Sequence, residues 1–153
     1  LNVSNARAIL ASYDLIIDGT DNLPSRYLIN DACFFLKKVF IFGGVHQFEG
    51  QVSVFAPQGP CYRCIFEEPP PPDEMPSCAE AGVIGVVPGI IGLMQANEAI
   101  KWICQVGESL SGRLLIFDAL SARWREIRIK KDPGCALCGE RPTIKTLEEK
   151  EYI

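Results

Sequence analysis

The sequence predicts an α/β domain whose sheet begins with parallel strands and continues with antiparallel ones. Two short apolar runs, residues 14–18 and 39–43, flank a segment of helical character at residues 24–37. Strand, helix and strand within about thirty residues are typical of a parallel βαβ unit. Three later segments of alternating or apolar character predict strands joined by turns: 48–55, 113–118 and 124–130.

The elements of the first half follow from local signals. A short helix is expected at residues 5–12, with Ser4 as its cap. Pro24 suits the first turn of the following helix, because its missing N–H would be unpaired there anyway. The glycine pair 43–44 predicts a turn after the second strand, and residues 48–55 then predict a strand with one exposed face.

The second half contains one long helix and two irregular segments. Apolar residues at helical spacing predict a helix over 85–106, and Gly107 is expected to end it. A run of prolines between acidic residues favours a mobile loop over 66–77. Residues 141–153 are expected to form a C-terminal tail. No internal repeat is evident, and we interpret residues 1–153 as one domain.

Composition narrows the class of function. The 153 residues are 48% hydrophobic and carry a formal charge of −4 without a basic stripe, which argues against a nucleic-acid partner. The apolar stretch 82–94 contains Pro88 and is too short to span a bilayer. Seven cysteines, an odd number, and no signal segment favour the reducing cytoplasm. Because the chain starts at Leu1, we expect it to belong to a larger protein.

Two Cys-x-x-Cys pairs are the strongest chemical signal. The first pair is Cys61 and Cys64, and the second is Cys135 and Cys138. Four thiolates about 2.3 Å from one ion satisfy tetrahedral zinc and leave no position open for catalysis. We therefore expect a structural zinc site that joins distant parts of the fold. Two disulfides or two redox motifs are the alternative.

Other reactive side chains have less support. Cys33 and Cys104 lie in apolar helical segments, so we expect both in the core. Cys78 follows the proline-rich loop near a helix start, where a thiol can be exposed and partly ionised; a small apolar residue covering the helix is equally compatible. His46 has no Ser or Cys at a diagnostic spacing, and we interpret it as structural or incidental rather than catalytic.

The acidic segment Asp18-Gly-Thr-Asp21-Asn22 is the second strong signal. It follows the first predicted strand, and ligands of parallel sheets collect at the carboxyl ends of strands. Asp21 could hold a magnesium ion on nucleotide phosphates, and Arg26 could pair with a phosphate or with Asp21. The alternative is a turn that only caps the next helix. Neither a Gly-x-Gly-x-x-Gly motif nor a phosphate-binding loop occurs in these residues.

Several motifs, in order along the chain, resemble one family. They are Asp18-Gly-Thr-Asp-Asn-x-x-x-Arg26, the two cysteine pairs, Cys78-Ala-Glu-Ala-Gly82 and Phe117-Asp-Ala119. The family is the adenylyltransferases that activate ubiquitin-like sulfur carriers in molybdopterin and thiamine biosynthesis, relatives of the ubiquitin-activating enzymes. Three segments and the tail look most similar to the molybdopterin-synthase branch: 112–118, 125–130, 133–135 and 141–153.

The resemblance implies a Rossmann-like fold, of which this chain would be the C-terminal half. It implies ATP-dependent adenylation of the carrier's C-terminal glycine, with magnesium, by an enzyme that works as a homodimer. Asp21 matches the family's essential magnesium-handling aspartate, and Asn22 and Arg26 would bind nucleotide beside it. The four paired cysteines match the family's zinc ligands. Cys78 matches the cysteine that forms the thioester in ubiquitin-activating relatives.

The chain departs from the family in lacking its N-terminal half, which carries the glycine-rich nucleotide loop. We therefore expect residues 1–153 alone to be inactive. An alternative is a zinc-stapled module that docks a ubiquitin-like tail without catalysis. A further alternative, half of a dinucleotide-dependent oxidoreductase, is not supported by the acidic loop and the absent glycine fingerprint.

Overall fold

The computed structural model describes residues 1–68, 82–148 and 152. The expected loop at 66–77 lies mostly outside the described residues. In the expected C-terminal tail, residues 149–151 and 153 also lie outside them. The helices and strands in chain order are α1 Ala6–Ala11, β1 Leu15–Ile17, α2 Leu23–Leu36, β2 Val39–His46, β3 Glu49–Phe55, a 3-10 turn Tyr62–Cys64, α3 Val86–Cys104, β4 Arg113–Asp118 and β5 Arg123–Arg128.

The strands of the described residues form one mixed sheet in the order β1-β2-β3-β4-β5. β1 and β2 are parallel and are joined through α2, whereas each later neighbour is antiparallel. The predicted fold class, an α/β domain with a parallel βαβ start and antiparallel later strands, is confirmed. β1 and β2 therefore run in the same direction, and the acidic segment follows β1 where it ends opposite Ile41.

Helices cover both faces of the sheet. Because side chains alternate along a strand, β2 contributes to a core on each face. The core under α1 and α2 is mainly aromatic and leucine-rich: Leu10, Tyr27, Leu28, Phe40, Phe42, Phe55 and Leu114. The core beneath α3 is built of smaller, mostly β-branched residues: Val39, Ile41, Val52, Val54, Ala99 and Leu110. This layering holds α2 and α3 on opposite sides of the same sheet edge.

The prediction of a turn at residues 43–44 is wrong. β2 runs through both glycines to His46, and Gly43 pairs with Val52 of β3. Gly43 instead leaves space for the side chain of Gln95 on α3, and Gly44 leaves space for the ring of Phe42 on the same strand. β3 is also more buried than expected, because helices cover both faces of the sheet.

Two expectations about helices need correction. Asn5, not Ser4, precedes α1, and the Ser4 hydroxyl donates to the side chain of Asn2. Cys104, expected in the core, is exposed, because it is the last residue of α3 and lies off the face that packs on the sheet.

Within the described residues, no helix has the length and apolar character needed to cross a membrane.

Ile17 of β1 is more exposed than its apolar run predicts. We expected this strand to be buried on both faces, and Ile16 is buried, but Ile17 is 47% exposed. β1 lies at the edge of the sheet in the described residues, so one of its sides has no neighbouring strand there.

Candidate functional site

The loop after β1 is held by the carboxylate of Asp18, which is 1% exposed. Its Oδ1 accepts hydrogen bonds from the backbone N–H of Thr20 at 2.8 Å and from the Thr20 hydroxyl at 2.6 Å. Its Oδ2 accepts from Nε of Arg26 at 2.8 Å. A buried carboxylate is stable only when it is paired and hydrogen-bonded, and Asp18 meets both conditions. Asp18 is thus a structural anchor of the loop.

Arg26 joins α2 to the same loop. Its Nη2 donates to the backbone oxygen of Thr20 at 2.8 Å and lies 3.4 Å from that of Gly43. The guanidinium also lies over the ring of Phe42, with its carbon 5.0 Å from the ring centroid. The structure thus pairs Arg26 with Asp18 rather than with Asp21. Its role toward a phosphate stays a prediction.

Asp21 and Asn22 lie at the top of this anchored loop. The Asn22 side chain accepts a hydrogen bond from the backbone N–H of Ser25 at 2.9 Å and so caps α2. Asp21 is exposed, and its carboxylate accepts a long hydrogen bond from the Asn22 amide at 3.3 Å. The capping interpretation therefore holds for Asn22, while Asp21 presents its carboxylate to solvent next to the N-terminus of α2, which favours negative charge.

The two cysteine pairs come together as the sequence predicts. The sulfur of Cys61 lies 3.6 Å from that of Cys135, and the sulfur of Cys64 lies 3.3 Å from that of Cys138. All four sulfurs lie within 4.8 Å of one another. Four sulfurs arranged tetrahedrally about 2.3 Å from one ion are about 3.8 Å apart, so this geometry fits zinc. It does not fit two disulfides, because the shortest of these sulfur–sulfur distances, 3.3 Å, far exceeds the about 2.05 Å of a disulfide bond.

The surroundings of the four cysteines also suit a metal. Backbone N–H groups of Asp132 and Cys138 point at the sulfurs of Cys64 and Cys135, each at 3.5 Å. Hydrogen bonds from neighbouring thiols, Cys138 first, lower the pKa of Cys135, while the bond to Cys135 is the main cause that raises the pKa of Cys61. Zinc is held by thiolates, so its binding would release the protons of these thiols.

Gly139 is required by the backbone of the second cysteine pair. A methyl group there would lie 2.5 Å from the carbonyl oxygen of Cys135 and 2.6 Å from that of Pro133. Because both are main-chain atoms, the turn could not move aside at low cost. Glycine allows the chain to fold back over the pair, and the N–H of Gly139 donates to the same Cys135 oxygen at 3.0 Å.

A buried ion pair joins the first cysteine pair to α2. Nε and Nη2 of Arg63 donate to the two carboxylate oxygens of Asp31 at 3.0 and 2.9 Å. The hydroxyl of Tyr152 donates to the same carboxylate at 3.0 Å. Next to this pair, the side-chain oxygen of Asn30 accepts from the backbone N–H of Tyr62 at 2.9 Å. The four-cysteine cluster is thereby joined to the helix that starts at the acidic loop.

Asp31→Ala is expected to lower the free energy of unfolding by about 3–5 kcal/mol, because it leaves the Arg63 guanidinium buried without its counterion. The matched control is Glu126→Ala, which breaks the exposed pair between Arg113 and Glu126 and should cost less than about 1 kcal/mol. Urea denaturation of both variants measures the difference. Equal losses would contradict the role given to the buried pair.

Cys33 and His46 are not among the residues that form the four-cysteine cluster or hold the acidic loop. Cys33 is 1% exposed, which confirms it as core, and burial raises the pKa of its thiol to about 12. His46 is exposed at the end of β2. Cys78 lies outside the described residues, so its predicted role as a reactive thiol stays a prediction.

Three functional or supporting residues escaped the sequence analysis: Arg63, Asp31 and Gln95. Asp31 and Gln95 are polar residues inside largely apolar helices, and Arg63 lies between two cysteines. Their partners are far away in the sequence, so the sequence gives little indication of their contacts. Gln95 on α3 is 6% exposed, and Asp31 on α2 is fully buried. Polar residues at positions where a helix should be apolar were the available clue.

The fold and its sites define a class of protein. It is an α/β domain with an acidic loop at the carboxyl edge of its parallel strands and a four-cysteine site of zinc geometry tied to the intervening helix. Residues 1–137 match the ThiF family, and the chain belongs to it.

Similar proteins share nearly the whole length of this chain. A sulfur carrier protein adenylyltransferase of Thermus thermophilus is 47% identical over 157 residues, covering 99% of this chain and 58% of the relative. The adenylyltransferase and sulfurtransferase MOCS3 of Arabidopsis thaliana is 47% identical, over 99% of this chain and 33% of its own length. The chain thus spans little more than half of the first relative and a third of the second.

Solved structures of Escherichia coli MccB share the fold. One, with succinimide, superposes with a TM-score of 0.71 at 16% identity and covers 91% of this chain and 44% of MccB. Another, with ATP, has a TM-score of 0.67 at 18% identity. At these identities the likeness concerns the fold alone.

Proposed function

We propose that this chain is the C-terminal part of an enzyme that adenylates the C-terminal glycine of a ubiquitin-like sulfur-carrier protein, working in the cytoplasm. The observation that carries the proposal is the solvent-facing Asp21 carboxylate, on a loop fixed by buried ion pairing at the carboxyl edge of a ThiF-family sheet. The names of the similar proteins support the same reaction class.

In the reaction, the carrier's terminal carboxylate attacks the α-phosphorus of ATP. A bond forms between the carboxylate oxygen and phosphorus, the bond to the bridging oxygen breaks, and pyrophosphate leaves with the electron pair. Asp21 would hold magnesium, which offsets charge on the phosphates when bound. We assign Asn22 and Arg26 to the nucleotide side of the site; Asn22 orders the helix start, and Arg26 holds the loop in place.

We assign the four cysteines to a structural zinc ion. The donor set is closed and all-thiolate, and thiolates of this kind hold zinc without leaving a position for substrate. The zinc ion would help to hold α2, and with it the acidic loop, in a fixed position relative to the C-terminal segment. Cys78 is a further candidate, as the acceptor of the activated carrier in a thioester.

The alternative function is a zinc-stapled module that docks the carrier without catalysis. Carrier-dependent exchange of labelled pyrophosphate into ATP, measured with the full-length gene product, separates the two. Exchange that requires both carrier and magnesium supports the enzyme. Carrier binding without exchange, in a protein that lacks a glycine-rich loop upstream, supports the module.

We further propose that the protein forms a homodimer through α3. Three apolar residues spaced by seven positions, Val86, Leu93 and Ile100, are 61%, 74% and 59% exposed and form a stripe along one side of the helix. Such a stripe is typical of a helix that packs against another apolar surface. The opposite side of α3 already covers the sheet.

Leu93→Glu in the full-length protein is expected to convert a dimer into a monomer, because it places a charge in the centre of the apolar stripe. Light scattering at micromolar concentration measures the mass. Leu120→Glu is the matched control, because Leu120 is 76% exposed but lies in the turn between β4 and β5. A monomeric wild type, or a dimer that survives Leu93→Glu, would contradict the proposal.

A further inference from the structure

Gln95 of α3 joins the carboxyl end of β1 to the neighbouring part of β2. Its Nε2 donates to the backbone oxygen of Asp18 at 2.7 Å and to that of Ile41 at 3.2 Å. The parallel register ends at Ile17 and Ile41, so Asp18 lies one residue beyond β1. The side chain of Gln95 thus continues the sheet's hydrogen bonding into the start of the acidic loop.

The strand beside Gln95 is shaped to admit its amide group. A methyl group at Gly43 would lie 2.4 Å from Cδ, 2.5 Å from Nε2 and 2.7 Å from Oε1 of Gln95. Glycine inside a strand normally weakens it, and close approach by another group is one reason for its presence. The absence of a side chain at Gly43 therefore leaves the space that the Gln95 amide occupies.

The acidic loop is consequently held from both sides of the sheet. From α2, Arg26 binds the Asp18 carboxylate and the Thr20 carbonyl. From α3, Gln95 binds the Asp18 carbonyl, while the Asp18 N–H donates to Ile41 at 2.9 Å. Every polar group of Asp18 is engaged, and the exposed Asp21 carboxylate follows three residues later.

We propose that Gln95 is a positioning residue for the adenylation reaction: it sets the height of the Asp18–Asn22 loop above the sheet and so the place of the Asp21 carboxylate. Gln95 is buried under the strands and acts through the backbone of the loop. This inference rests on the proposed function. A misplacement of about 1 Å in a group that positions charge can cost a hundredfold in rate.

The first test is Gln95→Met in the full-length protein, which keeps the length of the side chain and removes the amide. We expect the rate constant for pyrophosphate exchange to fall about ten- to a hundredfold. The free magnesium concentration for half-maximal exchange should rise, while KM for the carrier stays unchanged. Loss of folded enzyme alone would lower the rate but would not change the magnesium dependence.

The matched control is Glu98→Met, one turn along the same helix. Glu98 is 2% exposed and accepts from the backbone N–H of Leu110 at 2.9 Å, away from the acidic loop. This variant removes a buried polar group from α3 without changing the contacts of Asp18. It should destabilise the protein and leave the magnesium dependence at the wild-type value.

The second test measures the loop directly by hydrogen exchange. The amides of Asp18 and Thr20 donate to Ile41 and to the Asp18 carboxylate, so both should be protected in the wild type. Gln95→Met should accelerate their exchange at least about tenfold relative to Glu98→Met. This readout does not depend on activity.

The third test is a double-mutant cycle between positions 43 and 95. Gly43→Ala alone should reproduce the Gln95→Met phenotype, because the added methyl displaces the amide. In a Gln95→Ala background the same methyl finds space and should have little further effect. Non-additivity of this kind is expected when two changes remove one interaction.

The outcomes separate the two proposals. Unchanged magnesium dependence and unchanged amide exchange in Gln95→Met, or simple additivity in the cycle, overturn the positioning role. If the wild type shows no exchange with any sulfur carrier, the proposed reaction falls and the catalytic meaning of Gln95 falls with it. Hydrogen exchange then still decides whether Gln95 orders the loop.

Discussion

Asp21→Ala in the full-length protein is expected to reduce carrier-dependent pyrophosphate exchange by at least about a hundredfold, because a metal-held charge at the phosphates is worth several kcal/mol. The free energy of unfolding should change by less than about 0.5 kcal/mol, since the Asp21 side chain is exposed and carries little packing. Pyrophosphate exchange and urea denaturation measure the two quantities on the same preparation.

Asp14→Ala is the matched control for this prediction. Asp14 is also exposed and flanks the same strand, but it precedes β1 and so lies at the opposite end from the acidic loop. Its removal should leave exchange unaffected. Exchange at the wild-type rate in Asp21→Ala would remove Asp21 from the mechanism, although it would leave membership of the ThiF family intact.

Cys135→Ala is expected to cause the largest loss of stability. The wild type should bind one zinc ion per chain, and the variant should bind none with comparable affinity. Structural zinc contributes about 10–16 kcal/mol of binding free energy in small zinc domains, which is comparable to the total stability of a domain. Elemental analysis and thermal unfolding with and without a chelator measure both effects.

The variant should loosen two regions that are distant in the sequence. Cys135 contacts Cys61, and the first pair is joined through Arg63 to Asp31 on α2. Proteolysis should therefore increase near both cysteine pairs. Cys104→Ser is the control, because Cys104 is exposed and outside the cluster. Freshly purified, reduced wild type without stoichiometric metal would contradict the zinc assignment.

Periodicity and residue chemistry predicted most of the architecture. Apolar runs located β1 and β2, helical spacing located α2 and α3 to within a few residues, and alternation located the later strands. The cysteine spacing predicted the zinc geometry, because a Cys-x-x-Cys turn aims two thiols at one point and two such turns complete a tetrahedron. These signals are local, so a single sequence contains them.

Burial was less predictable where it depended on neighbouring elements. Cys104 and Ile17 are apolar in sequence but exposed in the described structure, since one lies off the packed face of α3 and the other on an edge strand. The glycines at 43–44 suggested a turn and instead lie inside β2. A glycine that makes room for a distant side chain cannot be distinguished locally from a glycine that makes a turn.

The sequence by itself determined the fold class, the grouping of the four paired cysteines and the position of the acidic loop, because each depends on spacing along the chain. Only the tertiary structure decided what holds that loop. It paired Arg26 with Asp18 and brought Gln95 to the backbone oxygens of Asp18 and Ile41. It also joined Arg63, beside the cysteine cluster, to Asp31 on α2. Those contacts link residues many positions apart, and their partners are chosen by the packing of helices on the sheet.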